Sequence, residues 1–284
     1  MSKSKSIFIV LFAYILSISA ILFTVQILNY SNILNVMIAD IVATIIIFIF
    51  SVYFRNSSIY DPYWSVIPPV ILFYFIYLNN GFNFQAFLLS FSVIFWGARL
   101  TFNWFRGWPG LHHEDWRYVE MRKVSGKYFQ FSNFFGIHLF PTFIVFVCCV
   151  PMYSALTKKI DIFTFLGFFI CFIGVLYEII SDQQLYNFKK NNQGIINSGL
   201  WKYSRHPNYY GEILFWWGLY FYGVTYDSLL TWIFAPISMT IMFLLVSIPW
   251  IEKKILSTRP EYADYKLKVG VLSPELGFLK KLFK

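Results

Sequence analysis

Residues Ile7–Leu28 read IFIVLFAYILSISAILFTVQIL, 22 residues without one charge. A helix of about 20 apolar residues crosses the hydrocarbon core of a bilayer, so this run is long enough to span it. Lys3 and Lys5 precede it, as basic residues precede a secretory signal. The run is longer than a signal core and lacks a small-residue cleavage site, so it is read as a retained spanning helix. Seven further apolar blocks follow, giving spans near residues 7–28, 33–54, 63–79, 84–105, 134–156, 160–182, 208–226 and 228–251. The third contains Pro68 and Pro69, which predicts a kink or close support from neighbouring helices. The third and the seventh are short.

Composition agrees with these runs. Of 284 residues, 58% are hydrophobic and 13% charged, about half the charge of an ordinary soluble domain. Blocks this continuous lack the alternation of an outer-membrane barrel. The expected fold is therefore all-α, a polytopic transmembrane bundle of seven to eight spans in one domain over 1–284. Cys148, Cys149 and Cys171 lie inside apolar runs without metal-ligand spacing, so neither a disulfide framework nor a metal site is expected.

The cations are distributed unevenly. With the N-terminus inside, 21 of the 23 Lys and Arg fall on one face, and only Lys158 and Lys159 fall outside. The turns at 29–32, 80–83 and 227 carry no base. This bias predicts an N-in, C-in orientation. It also accounts for the net charge of +9 without a nucleic-acid partner; anionic lipid and a phosphate-bearing cofactor are the better match. The chain is expected in a bacterial inner membrane or the endoplasmic reticulum, and its oligomeric state is left open.

One stretch concentrates polar chemistry. Gly199–Gly218 reads GLWKYSRHPNYYGEILFWWG and runs from a basic loop into an apolar helix that Pro207 is suited to start. Backbone N–H groups at a helix entrance favour anions. A basic collar holding the helix to lipid phosphates explains the charges and the aromatics. It does not explain Asn208 and Glu212, which lie four apart on one face.

Other ionisable residues at membrane depth are candidates because burial there is costly. Glu178 and Asp182 lie four apart, with Tyr186 and Lys189 continuing the face. Arg99 and Asn103 are similarly spaced on the fourth block. Asp61 precedes Pro62, Tyr63 and Trp64, and this order also reads as an N-cap with proline at the first helical position. Asp40 stands alone toward the other face. All these clusters except Asp40 fall in the inner half of the bundle. They could enclose a polar cofactor beside an apolar interior suited to a lipid-like molecule. No dinucleotide-binding fingerprint, P-loop, nucleophile elbow or zinc-protease motif is present.

Three segments carry a resemblance: SDQQLYNFKK (181–190), SGLWKYSRHPNYYGEILFWWG (198–218) and IEKKILSTRPEYADYKLKVGVLSP (251–274). Together they are similar to the C-terminal domain of the steroid 5α-reductase family. DPYWSVIPP (61–69) and EDWRY (114–118) resemble a largely microbial branch of that family, and the likeness extends from about residue 55 to the end. It implies an oxidoreductase that uses NADPH to reduce a C=C bond conjugated to a carbonyl in a lipophilic substrate. Carried over by motif, Asp182, Asn208 and Glu212 belong to the cofactor site, with Arg205 and His206 against phosphate or ribose. Glu178, Tyr209, Lys253, Tyr262 and Tyr265 join the same expected pocket, drawn mainly from 178–270. The family pairs an early acid with a later tyrosine to activate the carbonyl. Here Asp61, Tyr63 and Asn103 are the catalytic candidates, and no partner tyrosine is evident. Because the early acid is Asp and no partner tyrosine is evident, a steroid is not singled out, and the expected substrate is steroid-, polyprenol- or fatty-acid-like.

Isoprenylcysteine and phospholipid methyltransferases carry a similar RHP-x-Y-x-G segment and bind S-adenosylmethionine, which gives a second reading. A non-catalytic lipid-binding membrane protein is a third. Polar groups gathered on one face instead of at the midplane argue against a transporter.

Overall fold

The computed structural model describes residues 1–79, 81–191 and 194–272. Every regular element among them is helical, apart from one isolated bridge. Among the described residues seven helical segments are long and apolar enough to cross a membrane, beginning with Lys3–Ile27 and ending with Phe234–Thr258. Many of their large apolar side chains face outward: Phe8 is 71% exposed and Phe23 64%. A soluble surface does not carry so many, whereas acyl chains solvate them. The protein is an integral, multi-pass, helical membrane protein.

The chain divides into two compact units, Met1–Thr157 and Lys158–Lys284. In unit 1, α1 (Lys3–Ile27) pairs with α2 (Asn32–Tyr53). Ser2 and Ser31 cap these helices, accepting from the N–H groups of Lys5 and Leu34. Next come α3 (Tyr63–Leu78) and α4 (Phe84–Gly107), packed together, with α3 also against α7 (Phe140–Thr157). A Cβ at Gly97 would lie 2.6 Å from the Ser65 carbonyl oxygen, so α4 approaches α3 where no side chain intervenes. Pro68 and Pro69 lie inside α3, which neighbouring helices support. The segment 106–133, rich in aromatic residues, is helical from Trp116 onward. It forms α5 (Trp116–Ser125), α6 (Phe129–Ser132) and a π-turn, Asn133–Leu139, leading into α7.

The N-terminus of α3 departs from the expected cap. Pro62 holds the N-cap position, and no side chain caps the helix. The Asp61 carboxylate is instead engaged by Tyr118, which takes it away from the helix N–H groups.

Unit 2 is built on α8 (Ile162–Asn191) and α9 (Pro207–Gly223). At 30 residues, α8 is about 45 Å long, more than a hydrocarbon core of about 30 Å. Its last turns, with Asp182 and Lys189, therefore have length to spare. Pro207 occupies the first turn of α9 as expected, with His206 at the N-cap position. The two helices approach through four glycines. A Cβ at Gly174 would lie 2.6 Å from the Gly211 carbonyl oxygen, and one at Gly167 2.8 Å from that of Gly218. The pairings run in opposite directions, so α8 and α9 are antiparallel and their backbones nearly touch. The seventh block, α9, has 17 residues, fewer than any of the seven spans. The eighth is α10 (Phe234–Met242), a π-turn (Phe243–Ser247) and α11 (Ile248–Thr258), followed by α12 (Tyr262–Lys268).

Candidate functional site

The RHP segment is held by backbone and side chains together. Arg205 N–H donates to the Gly270 carbonyl (2.9 Å), and His206 N–H to that of Val271 (3.2 Å). The loop before it is tied to α8: Trp201 Nε1 donates to the Ser181 carbonyl (3.0 Å) and Leu200 N–H to Gln184 Oε1 (3.0 Å). Gly199, at φ +59°, packs so tightly on Gln184 that a Cβ would lie 2.4 Å from its amide nitrogen. Tyr265 donates to the Trp201 and Ser204 carbonyls, closing α12 over the loop.

Glu252 of α11 is the centre of this arrangement. It is 4% exposed and meets Arg205 Nε at 2.7 Å, His206 Nε2 at 3.1 Å, Lys266 Nζ at 2.7 Å and the Tyr262 hydroxyl at 3.2 Å. Arg205 also donates from Nη1 to the Val269 (2.6 Å) and Lys266 (3.1 Å) carbonyls. Burial disfavours the imidazolium, as do the Arg205 and Lys266 charges, so the pKa of His206 falls below its usual value despite Glu252. Burial likewise raises the Tyr265 hydroxyl to about 12, keeping it a donor.

Beside this cluster lies a cavity of about 190 Å³ lined from α8, α9, α11 and α12. It brings together Arg205, His206, Asn208, Tyr209, Tyr262 and Tyr265 of the expected cofactor residues. The His206 and Tyr209 rings stack, 5.5 Å between centroids. Glu178, Asp182, Glu212 and Lys253 are not part of the lining. Glu178 is 1% exposed and sits behind Gly211; Glu212 accepts from Trp216 Nε1 at 2.9 Å; Lys253 is exposed. Lys189 and Arg259, absent from the expected set, do line the cavity. Among the described residues no salt bridge neutralises either of them. Asn208 Oδ1 is buried, and no donor among the described residues reaches it.

In unit 1 the three catalytic candidates separate. Tyr63 donates to Asp40 Oδ1 (2.9 Å), so Asp40 is not solitary. Asn103 Oδ1 accepts from Arg106 Nη2 (3.1 Å) on its own helix. Asp61 accepts a hydrogen bond from Tyr118 and lies 3.7 Å from Arg117 Nη2. Arg117 also holds Asp115 (2.8 Å), whose carboxylate caps α5. The NSSI segment fixes this corner: Ser57 N–H donates to Glu114 Oε1 and Asp115 N–H to Ser58 Oγ, each at 2.8 Å. DPYWS and EDWRY thus meet side chain to side chain, and Tyr118 is a partner of Asp61 that motif reading did not pick out. Its separation from Asp61 leaves no local signal; only the fold brings them together.

These features define a multi-pass helical membrane protein with a cation-lined cavity in one unit and a part-buried acid–tyrosine pair in the other. The profile of the family described as "Protein of unknown function (DUF1295)" matches residues 47–269, and the chain belongs to that family. It is 28% identical over 258 residues to an uncharacterized protein, C594.04c, of Schizosaccharomyces pombe; the match covers 80% of this chain and 75% of that one. No solved structure matches at a significant level.

Proposed function

We propose that this protein is a membrane oxidoreductase that binds NADPH and reduces an activated C=C bond in a lipophilic substrate. The observation that carries the reading is Asn208 Oδ1, a buried acceptor with no donor among the described residues, on a cavity that also presents Arg205, Lys189 and Arg259. An acceptor left unmet in a buried site costs free energy that a ligand donor recovers. Ribose hydroxyls and amide or amino groups are such donors, and the cations suit phosphates. A space of about 190 Å³ admits one moiety of a dinucleotide, not the whole molecule. The sequence resemblance to steroid 5α-reductases points to the same cofactor.

Bound NADPH supplies a hydride to the β-carbon of a conjugated carbonyl. The chain's part is to hold the cofactor and provide the proton. Arg205 is fixed by Glu252 and two carbonyls, so it is preorganised for an anion. In unit 1, taken by itself, protonation of Asp61 lets its O–H donate to the Tyr118 oxygen and frees the Tyr118 O–H, an arrangement suited to a general acid.

The same cavity speaks against S-adenosylmethionine, whose sulfonium would add positive charge beside Lys189 and Arg259. The test is a fluorescence titration of purified protein with NADPH and competition by S-adenosylmethionine. Saturable NADPH binding that S-adenosylmethionine does not displace supports the reductase. Saturation by S-adenosylmethionine with indifference to NADPH overturns it.

A further inference from the structure

Arg55 ends α2 in a backbone conformation that seldom accommodates arginine. Its φ is +50°, and its N–H donates to the Val52 carbonyl (3.2 Å) while that of Asn56 donates to Ser51 (2.9 Å). This is the Schellman arrangement, with Arg55 at the left-handed position where glycine is the usual residue. A side chain there costs about 1 kcal/mol relative to glycine. Arg55 is exposed, and among the described residues no side chain pairs with it.

Immediately beside it lies an open groove of about 330 Å³, within the size range of small-molecule sites. Its walls are Phe8, Ile9 and Phe12 of α1 and Ile49, Phe50 and Tyr53 of α2. Phe12 and Phe50 meet edge to face at 6.1 Å, forming its floor. Tyr53 is 80% exposed. Lys5 lies one turn before Phe8 and Ile9 on the same face of α1, is exposed, and stands at the end of the groove where α2 delivers Arg55. An apolar slot thus ends in two cations and a phenol, complementary to a chain with a negative head.

We propose that the α1–α2 groove is a binding site for an anionic phospholipid. One acyl chain lies against Phe8, Phe12 and Phe50, and the phosphate is held by Arg55 and Lys5. The unfavourable backbone at Arg55 is retained because it aims the guanidinium at that phosphate. The site belongs to unit 1 alone and does not depend on the proposed reductase activity.

The experiment is native mass spectrometry of delipidated protein, titrated with phosphatidylglycerol or with phosphatidylcholine of the same acyl chains. Wild type should retain phosphatidylglycerol more tightly. Arg55→Gly should reduce that preference roughly fivefold, and Lys5→Gln with it by a similar factor again. Arg55→Lys should keep most of the preference. Arg55→Gly also relieves the left-handed strain, so it should melt no lower than wild type and its lost preference cannot come from misfolding. Equal affinity of wild type for both lipids, an undiminished preference in Arg55→Gly, or a dimer that forms on this face without lipid would overturn the proposal.

Discussion

Glu252 is one carboxylate shared by Arg205, His206, Lys266 and Tyr262. Removing it leaves Arg205 buried beside two carbonyls with no counter-charge, a change that typically costs about 3–5 kcal/mol. Glu252→Ala should therefore lower the thermal midpoint strongly and abolish cofactor binding. Glu252→Gln, which keeps one acceptor, should lie between it and wild type in a thermal melt. Little of this was readable beforehand. The resemblance marked Arg205 and His206 as ligand contacts, yet both spend much of their hydrogen-bonding capacity on Glu252, 47 and 46 residues away. Glu252 sat in a quoted motif, IEKKIL, with nothing local to show which basic residues it would meet. Tyr118 was hidden for the same reason, because Asp61 finds it only through the NSSI–EDWRY packing.

At the scale of elements, apolar length was the strongest signal. The α1 and α2 runs read from the sequence match the observed helices closely, because a charge-free run this long has few alternatives in a bilayer. What hydropathy did not reveal was how α8 and α9 pack. Gly167 and Gly174 face Gly218 and Gly211 at seven-residue spacing, a pattern that lies on two different segments and becomes visible only when they are antiparallel. Gly211→Ala would place its methyl 2.5 Å from the Gly174 carbonyl oxygen and 2.7 Å from Glu178 Cγ. The helices must then separate, and overpacking of this kind costs about 1–3 kcal/mol or more. Because Asn208 lies one turn before Gly211, the variant should lose cofactor affinity along with stability. Gly126→Ala, with open space around its Cβ, needs no such helix separation; its φ of +50° confines the strain to a turn. Thermal melts of the two proteins in one detergent make the comparison.

At the scale of the molecule, the bias of Lys and Arg toward one face was the clearest sequence statement about topology. It requires an even number of crossings. Among the described residues seven segments meet the length and hydropathy of a span, and the 17-residue α9 is the element that would make the number even. On this count α9 crosses, and the start of α1 and the end of α12 share a side. Single cysteines introduced at Ser4 and Lys268, both at exposed positions, in a background without Cys148, Cys149 and Cys171 should then react together with a membrane-impermeant reagent applied to one side. Labelling from opposite sides would show that α9 does not cross.

The cavity at the start of α9 is proposed as a cofactor site whose Asn208 acceptor is reserved for a ligand. If so, Asn208 burdens the free protein and contributes only when NADPH is bound. The most direct measurement is a paired NADPH titration and thermal melt of wild type and Asn208→Ala. The prediction is NADPH affinity weakened about 3- to 12-fold, the worth of one hydrogen bond, with a melting temperature unchanged or higher. Unchanged affinity, or a loss of stability that accounts for weaker binding, would contradict it.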